Sequence, residues 1–297
     1  MPAPLTRRID AAALALMMPD DGPSVDFARP PGEASLAPPD SVSWRIFKNP
    51  VSVFMGGVAA VILELAEPSV RTGVWEHSSF RSDPVGRLRR TGLAAMVTVY
   101  GAGSVAERMI AGVVRRHETV SGATPGGAPY RANDPDLLAW VQSTASFGFA
   151  SAYGRYVSPL ARGELDRLYG EGRPAARLYG AARAPASEGE RRDLFAAMEK
   201  RLEPSPIVFE FLGIMGRAPA LPRPLGPLQR LLVRAAVELV PARLRALLGL
   251  AGRGLRPWEA PLVRRAALAS ERLMLPSSPA VQACRRMGLP ADYLYRR

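Results

Sequence analysis

Residues 100–120 read YGAGSVAERMIAGVVRRHETV, and two interpretations of this stretch predict different folds. In the first, Gly101 and Gly103 form the phosphate-binding turn of an α/β nucleotide-binding domain, after a β-prone run at 95–100. In the second, a helix begins near the same glycines and runs through to His117. The fold class depends on which interpretation is correct.

The surroundings disfavour the nucleotide-binding interpretation. A dinucleotide-binding unit needs a second strand that ends in an acidic residue, within a βαβ alternation. The chain instead continues with SGATPGGAPYRANDP at 121–135, which is typical of a loop. A glycine fingerprint without that context is a weak signal, so the helical interpretation is the stronger one.

On a helix, the apolar positions of this stretch form one stripe that ends in a histidine. The stripe consists of Ile110, Val113, Val114 and His117. Small residues also occur along the helix, at Gly103, Ala106, Ala111 and Gly112. His117 therefore faces the expected core, either as a buried neutral histidine bonded to a carbonyl or as a ligand beside a flat, wide group.

The rest of the chain from Ser41 onward also has helical patterning, so we predict an all-α fold with one helical domain at 41–297. Caps followed by proline begin several helices, at Asp83-Pro84, Asp134-Pro135 and Ser158-Pro159. The predicted helices are 50–66, one from 84, 137–153, 160–169, 188–202, 226–239, 242–250, 261–273 and 279–287. No β-hairpin signal is evident.

Residues 1–40 contain eight prolines and little periodicity. We expect an extended or poorly ordered N-terminal arm there, with a short helix at 10–17. The arginine pair at 7–8, followed by a short apolar run, is a weak match to an export signal. A cytoplasmic location is the expectation.

The formal charge of +12 comes almost wholly from arginine, because Lys48 and Lys200 are the only lysines. Such an excess favours an anionic partner, for example nucleic acid or a membrane surface. The arginines are scattered, however, without aromatic residues among clustered basic ones, so no nucleic acid is expected. The segment 225–250 has an apolar stripe and arginines, and either packs on its own domain or contacts a membrane peripherally.

Few side chains are available for a metal. Cys284 is the only cysteine, which excludes an internal disulfide and a cysteine-based zinc or iron–sulfur site. His77 and His117 are the only histidines, and no H-E-x-x-H motif is present. If a transition metal is bound, a heme with one axial histidine fits these few potential ligands best.

Arg87 and Thr91 share one helix face, and a buried arginine at such a position needs an anion such as a carboxylate or a heme propionate. With them the sequence contains HSSFRSDPVGRLRRT (77–91), HETVSG (117–122) and YRANDP (130–135). Together these motifs resemble the oxygenase family that includes MpaB and the bacterial rubber oxygenase called latex clearing protein. The similarity runs from about Ser41 into the C-terminal region.

The resemblance implies a globin-like helical core that holds a b-type heme, with His117 as the axial iron ligand. It assigns Arg87 and Thr91 to the family's Arg-x-x-x-Thr pair, although a register shift to Arg90 is open. In one departure, Glu67 stands where many relatives carry the histidine of a His-Pro pair. If that position contacts substrate or heme, chemistry or specificity differs in this chain.

The resemblance also implies a heme-dependent oxygenase that uses dioxygen on an apolar, isoprenoid-like substrate, by double-bond cleavage or a related oxidation. In this scheme Arg87 neutralises a propionate or polarises bound oxygen, and Thr91 donates a hydrogen bond. Tyr130 and Arg131 close over the pocket, bind a propionate, or form a plain surface loop. His77 is expected to be structural. The alternative is an inactive family member that carries heme or lipid at a membrane surface.

Overall fold

A computed structural model describes residues 25–296 of the chain. The helix expected at 10–17 and the arginine pair at 7–8 lie outside the described residues. Within them the chain forms thirteen α-helices and one small two-stranded sheet. The all-α prediction is thereby confirmed for the described residues, apart from that sheet, whereas the globin-like arrangement of the core stays a prediction.

Helices dominate the chain from Val42 to Arg286. The first helices are α1 (Val42–Phe47), α2 (Pro50–Glu64), α3 (Pro68–His77), α4 (Pro84–Tyr100) and α5 (Gly103–Glu118). Strands β1 (Ser121–Ala123) and β2 (Pro129–Arg131) come next. The remaining helices are α6 (Pro135–Tyr156), α7 (Arg162–Leu178), α8 (Glu188–Met198), α9 (Pro206–Arg217), α10 (Gly226–Leu239), α11 (Ala242–Leu247), α12 (Ala260–Glu271) and α13 (Pro279–Arg286).

Side-chain caps begin the helices as the sequence predicts. The Asp83 carboxylate accepts a hydrogen bond from the Gly86 N–H at 2.8 Å, and the Asp134 carboxylate accepts one from the Asp136 N–H at 2.9 Å. Each cap satisfies an amide that has no partner within the helix, and the proline that follows has no amide to satisfy. These two helix starts are confirmed. The run at 95–100 belongs to α4, so no strand precedes the glycines and the nucleotide-binding interpretation is wrong.

Three local features differ from the predictions. Pro68 begins a further helix, α3, because the Glu67 carboxylate caps the Val70 N–H at 2.8 Å. Helix α7 begins at Arg162 rather than at 160, because Glu164 reaches back to the Ala161 N–H. The third feature is the hairpin that β1 and β2 form.

The hairpin lies in the stretch that the sequence assigns to a loop. Its strands pair antiparallel, with Gly122 opposite Tyr130. Gly127 takes a left-handed conformation with φ of 84°, and its N–H donates to the Thr124 carbonyl. Glycine reaches that conformation without a side-chain clash, which allows the chain to reverse. The hairpin packs on α3.

The centre of the fold is a close crossing of α2 and α6. A Cβ atom on Gly148 would lie 2.3 Å from the Gly56 carbonyl oxygen, and one on Gly56 would lie 2.8 Å from the Gly148 carbonyl oxygen. Backbone therefore meets backbone, and neither position has room for a side chain. The same faces carry Glu64, two turns after Gly56, and Thr144, one turn before Gly148. The crossing thus brings this acid and this hydroxyl together.

Helices α4 and α5 form a second layer beside that central pair. They contact each other, while α4 also contacts α1 and α13, and α5 also contacts α7. Their contacts with α2 and α6 are sparse. The helix pair that carries Arg87 and His117 therefore meets the pair that carries Glu64 and Thr144 through few close backbone contacts.

The described part of the predicted arm, residues 25–40, forms no helix and is held against α13. The buried Arg286 guanidinium donates to the carbonyls of Phe27, Glu33 and Tyr100, at 2.7 to 2.8 Å. An arginine has five donors, so one buried side chain can satisfy several carbonyls of an irregular segment. These bonds join the segment to the end of α4.

The apolar stripe predicted within 225–250 lies on α10, which packs against α2 and α9. Leu232, Ala235, Ala236 and Leu239 are buried, and Leu228 and Leu231 are half-buried. Packing inside the protein accordingly takes up this stripe. Among the described helices, none is by itself long and apolar enough to cross a membrane; α2 and α3 meet that criterion only as a pair, bent by 112°.

Candidate active site

Helices α4 and α5 present apolar side chains that the protein covers only in part. These half-buried residues are Leu88, Leu93 and Met96 on α4, and Met109, Val113 and Val114 on α5. Apolar side chains at helical spacing normally complete a core. Here the apolar side chains of two adjacent helices are only partly covered, and these helices make few contacts with α2 and α6. We interpret this arrangement as a cleft suited to an apolar ligand.

Arg87 lies at this cleft and pairs with Thr91, as their spacing predicts. Its Nη1 donates to the Thr91 hydroxyl, which in turn donates to the Arg87 carbonyl at 2.9 Å. Burial lowers the pKa of Arg87, and the charge of Glu64 opposes that effect. Arg90 instead donates to Ser79 at 2.7 Å and to Asp83 at 3.2 Å. Arg87 is therefore the arginine that faces the other layer.

Glu64 is the site residue that the sequence analysis missed. Its carboxyl accepts a hydrogen bond from the Thr144 hydroxyl at 3.4 Å. Burial raises the pKa of Glu64 to about 7, although the Arg87 charge and the Thr144 hydrogen bond act in the opposite direction. The carboxyl thus exchanges a proton near neutral pH. The sequence did contain one signal for this residue: Glu64 is the only charged residue of helix α2.

His117 lies in the last turn of α5 with its imidazole half-buried. Burial lowers the pKa of His117, the Arg87 charge lowers it further, and Asn133 opposes both. At neutral pH the ring is accordingly neutral, which leaves one nitrogen free to bind a metal. A neutral ring is compatible both with a metal ligand and with a buried core histidine.

The two nitrogens of His117 have different surroundings. Nδ1 is buried and has no hydrogen-bond partner, and Oδ1 of the neighbouring Asn133 is likewise buried and unpaired. The Asn133 amide is held in place because its Nδ2 donates to the Val114 carbonyl at 3.2 Å. Asn133 therefore offers an acceptor next to Nδ1, although the hydrogen bond is not formed at ordinary length. Within the described part of the chain, Nε2 has no partner.

Tyr130, Arg131 and His77 lie together at the hairpin, and no described contact joins them to Arg87 or His117. The buried Tyr130 hydroxyl lies 3.2 Å from Nε2 of His77, at the end of α3. Its ring fills the space left by two glycines, Gly73 and Gly122. Tyr130 and His77 thus attach the hairpin to α3, while Arg131 is exposed.

Glu67, the position at which the sequence was expected to depart from the family pattern, has a structural role. Besides capping α3 it accepts a hydrogen bond from Nη2 of Arg201 at 2.7 Å. Both carboxylate oxygens are therefore occupied, and the residue is buried. A direct role of Glu67 at the cleft has no support in these contacts.

A separate small polar recess of about 90 Å³ lies between α1, α7 and α12. Its charged groups pair with each other: Arg45 with Glu164 at 2.5 Å, and Lys48 with Glu271 at 2.8 Å. The Tyr153 hydroxyl also donates to Glu271, at 3.1 Å. Because each charge has a partner, these ion pairs join the helices, and the recess offers no unpaired charge to a ligand.

The buried Glu64 carboxyl should make the stability of the apoprotein depend on pH. Its folded-state pKa lies above the usual 4.5, so the folded protein keeps a proton that the unfolded chain releases. The Glu64 contribution to the unfolding free energy should then fall as pH rises through this range, by about 2 kcal/mol between pH 5 and pH 8. The lowered pKa of His117 acts in the opposite direction in both proteins, so urea titrations should show this fall as the difference between wild type and Glu64→Gln.

An exposed glutamate on α3 provides the control for that measurement. Glu76→Gln should leave the pH dependence as it is in the wild type, because the Glu76 side chain is exposed. If Glu64→Gln also keeps the full slope, Glu64 is not the group that exchanges the proton.

Comparison with known proteins agrees with the family resemblance of the motifs. The family model described as "ER-bound oxygenase mpaB/B'/Rubber oxygenase, catalytic domain" matches residues 44–272. The match includes Glu64, Arg87, His117, Asn133 and Thr144. No curated protein and no solved structure gives a significant match. Because the family model covers more than half of the chain, this protein belongs to the family of mpaB and rubber oxygenase catalytic domains.

Proposed function

We propose that the protein is a heme b-dependent oxygenase that uses dioxygen on an apolar, isoprenoid-like substrate. The observation that carries the proposal is the half-buried, neutral imidazole of His117, whose Nε2 has no partner among the described residues. It lies on a helix whose apolar side chains are only partly covered. A single neutral histidine beside apolar side chains is one of the arrangements that hold a b-type heme.

The residues around the cleft fit such a group. His117 would bind the iron through Nε2. The Nδ1 hydrogen would then be donated to Oδ1 of Asn133, which satisfies two atoms that are otherwise buried without partners. A hydrogen bond of this kind fixes the tautomer and the orientation of a metal-binding histidine. When bound, a ferrous heme supplies the centre at which dioxygen is activated.

Arg87 and Glu64 would supply charge balance and a proton. The Arg87 guanidinium can neutralise a propionate or the carboxylate form of Glu64. Because the pKa of Glu64 is about 7, its carboxyl can give up or take a proton at neutral pH. The apolar side chains of α4 and α5 would bind the alkene and exclude water.

Heme reconstitution tests the proposal. The purified chain, titrated with hemin, should acquire a Soret band at one heme per chain, and the reduced protein should consume dioxygen when a polyprenyl alkene is added. A preparation that stays colourless in excess hemin contradicts the proposal. Stoichiometric heme without dioxygen uptake would favour the carrier alternative.

A further inference from the structure

The segment 240–291 combines many arginines with almost no acid. It contains nine arginines and two glutamates. Glu259 accepts hydrogen bonds from Arg234 and from the Arg256 N–H. Glu271 forms an ion pair with Lys48 at 2.8 Å. Arg243 and Arg245 pair with Glu199 and Glu238, and Arg286 is buried. Six arginines of the segment remain without a described ion pair, so its surface is cationic.

Large apolar side chains are exposed on the same segment. Trp258 is 61% exposed and Leu262, one helical turn later, is 41% exposed. The opposite face of α12 is buried, through Val263, Ala267 and Ser270. Helix α12 therefore has one face in the core, while Trp258 and Leu262 point outward with no described partner.

The turn that presents Trp258 is firmly held. Oε2 of Glu259 accepts from the Arg256 N–H at 2.7 Å and also binds the Arg234 guanidinium. The Leu262 N–H donates to the Glu259 carbonyl at 3.0 Å, which continues the turn into α12. The exposed tryptophan is accordingly fixed at the start of the helix.

Exposed arginines surround this apolar pair. Arg256 precedes Trp258, and Arg264 and Arg265 follow Leu262; all three are exposed, and no ion pair is described for any of them. Arginine binds phosphate oxygens in a bidentate manner, while tryptophan is favoured at the boundary between lipid headgroups and acyl chains. The combination matches the chemistry of an anionic bilayer surface.

We propose that the outward face of α12, with Trp258 and Leu262 flanked by Arg256, Arg264 and Arg265, binds the surface of an anionic lipid bilayer. This face, rather than the buried stripe of α10, supplies the membrane contact. Nucleic acid would also attract the arginines, but it offers nothing to an exposed leucine such as Leu262. The proposal does not depend on heme.

Vesicle sedimentation and tryptophan fluorescence test the proposal on the full chain. The protein should sediment with vesicles that contain phosphatidylglycerol and remain in solution with phosphatidylcholine alone. Trp44, Trp75 and Trp140 are buried, so iodide should quench mainly Trp258. Anionic vesicles should protect this residue and shift its emission to shorter wavelength.

Two pairs of variants separate the contributions of the apolar and the cationic side chains to vesicle binding. Trp258→Ser with Leu262→Ser should abolish sedimentation, whereas Leu178→Ser, a leucine of equal exposure on α7, should not change it. Arg264→Gln with Arg265→Gln should weaken vesicle affinity about tenfold or more. The matched pair Arg173→Gln with Arg177→Gln, exposed on α7, should have a much smaller effect.

The proposal is overturned if anionic vesicles neither sediment the protein nor protect Trp258. It is also overturned if the control variants lose as much binding as the α12 variants. Binding of duplex DNA that exceeds vesicle binding, with the same loss in the α12 arginine variant, would assign the face to nucleic acid. The Soret band of the Trp258 and Leu262 variant reports heme binding separately, so failure of one proposal is distinguishable from failure of the other.

Discussion

His117→Ala is expected to abolish the Soret band that hemin gives with the wild-type protein. His117 is one of two histidines in the chain, and its Nε2 has no other partner in the described residues. If His117 binds the iron as proposed, its loss would remove the bond that holds the iron, and dispersion and propionate contacts alone would hold heme weakly. Absorbance during hemin titration measures the effect, and added imidazole should restore part of the band.

His77→Ala is the matched control for this variant. His77 contacts the Tyr130 hydroxyl at 3.2 Å, so its loss should loosen the hairpin and leave the Soret band in place. Asn133→Ala should retain the band with heme affinity reduced about tenfold to a hundredfold, as for other partners of metal-binding histidines. If His117→Ala keeps the Soret band and His77→Ala loses it, the heme site is at the hairpin instead.

Gly148→Ala is expected to destabilise the fold by about 3 kcal/mol, near the upper end for an added methyl group in a packed core. The new Cβ would lie 2.3 Å from the Gly56 carbonyl oxygen and 3.3 Å from the Ala60 nitrogen. Both neighbours are backbone atoms of α2, so rotation of a side chain cannot relieve the clash. The two helices must move apart. Urea denaturation of the apoprotein measures the loss.

Gly57→Ala provides the control in the same helix crossing. A Cβ there would lie 3.8 Å from the nearest atom, a side-chain carbon of Phe149, which is ordinary contact. Alanine is the better helix former, so this variant should be neutral or more stable by about 0.5–1 kcal/mol. Equal destabilisation by the two variants would mean that the close backbone crossing is not what limits position 148.

The helix starts were predictable because their causes are local. The Asp83 cap bonds an amide three residues later in the chain, and the cap and the proline that follows are visible as adjacent letters. The same locality explains the errors. Pro68 lies after the end of α2 and is also the first residue of α3. A reading of the sequence that treats this proline only as a helix end misses α3. The hairpin depends on Gly127 adopting a left-handed φ, which a glycine permits but does not require.

The site was predictable only in part. Resemblance to a known family assigned His117 and Arg87, and the i, i+4 spacing predicted the contact of Arg87 with Thr91. Glu64 was missed, because its raised pKa results from burial beside α6 rather than from its neighbours in sequence. Tyr130 was expected at the cofactor, yet its described contacts are with α3 and the hairpin.

By itself, the sequence determined the helical class, most of the helix starts and the family, since each of these follows from short-range pattern and capping. The tertiary structure alone decided that Glu64 and Arg87 lie within electrostatic range, that Asn133 lies beside His117, and that Trp258 faces outward. Those facts depend on which helices pack together; for Glu64, the close backbone crossing at Gly56 and Gly148 is the packing that brings it beside Thr144. Burial and pKa are properties of an environment that distant parts of the chain create together.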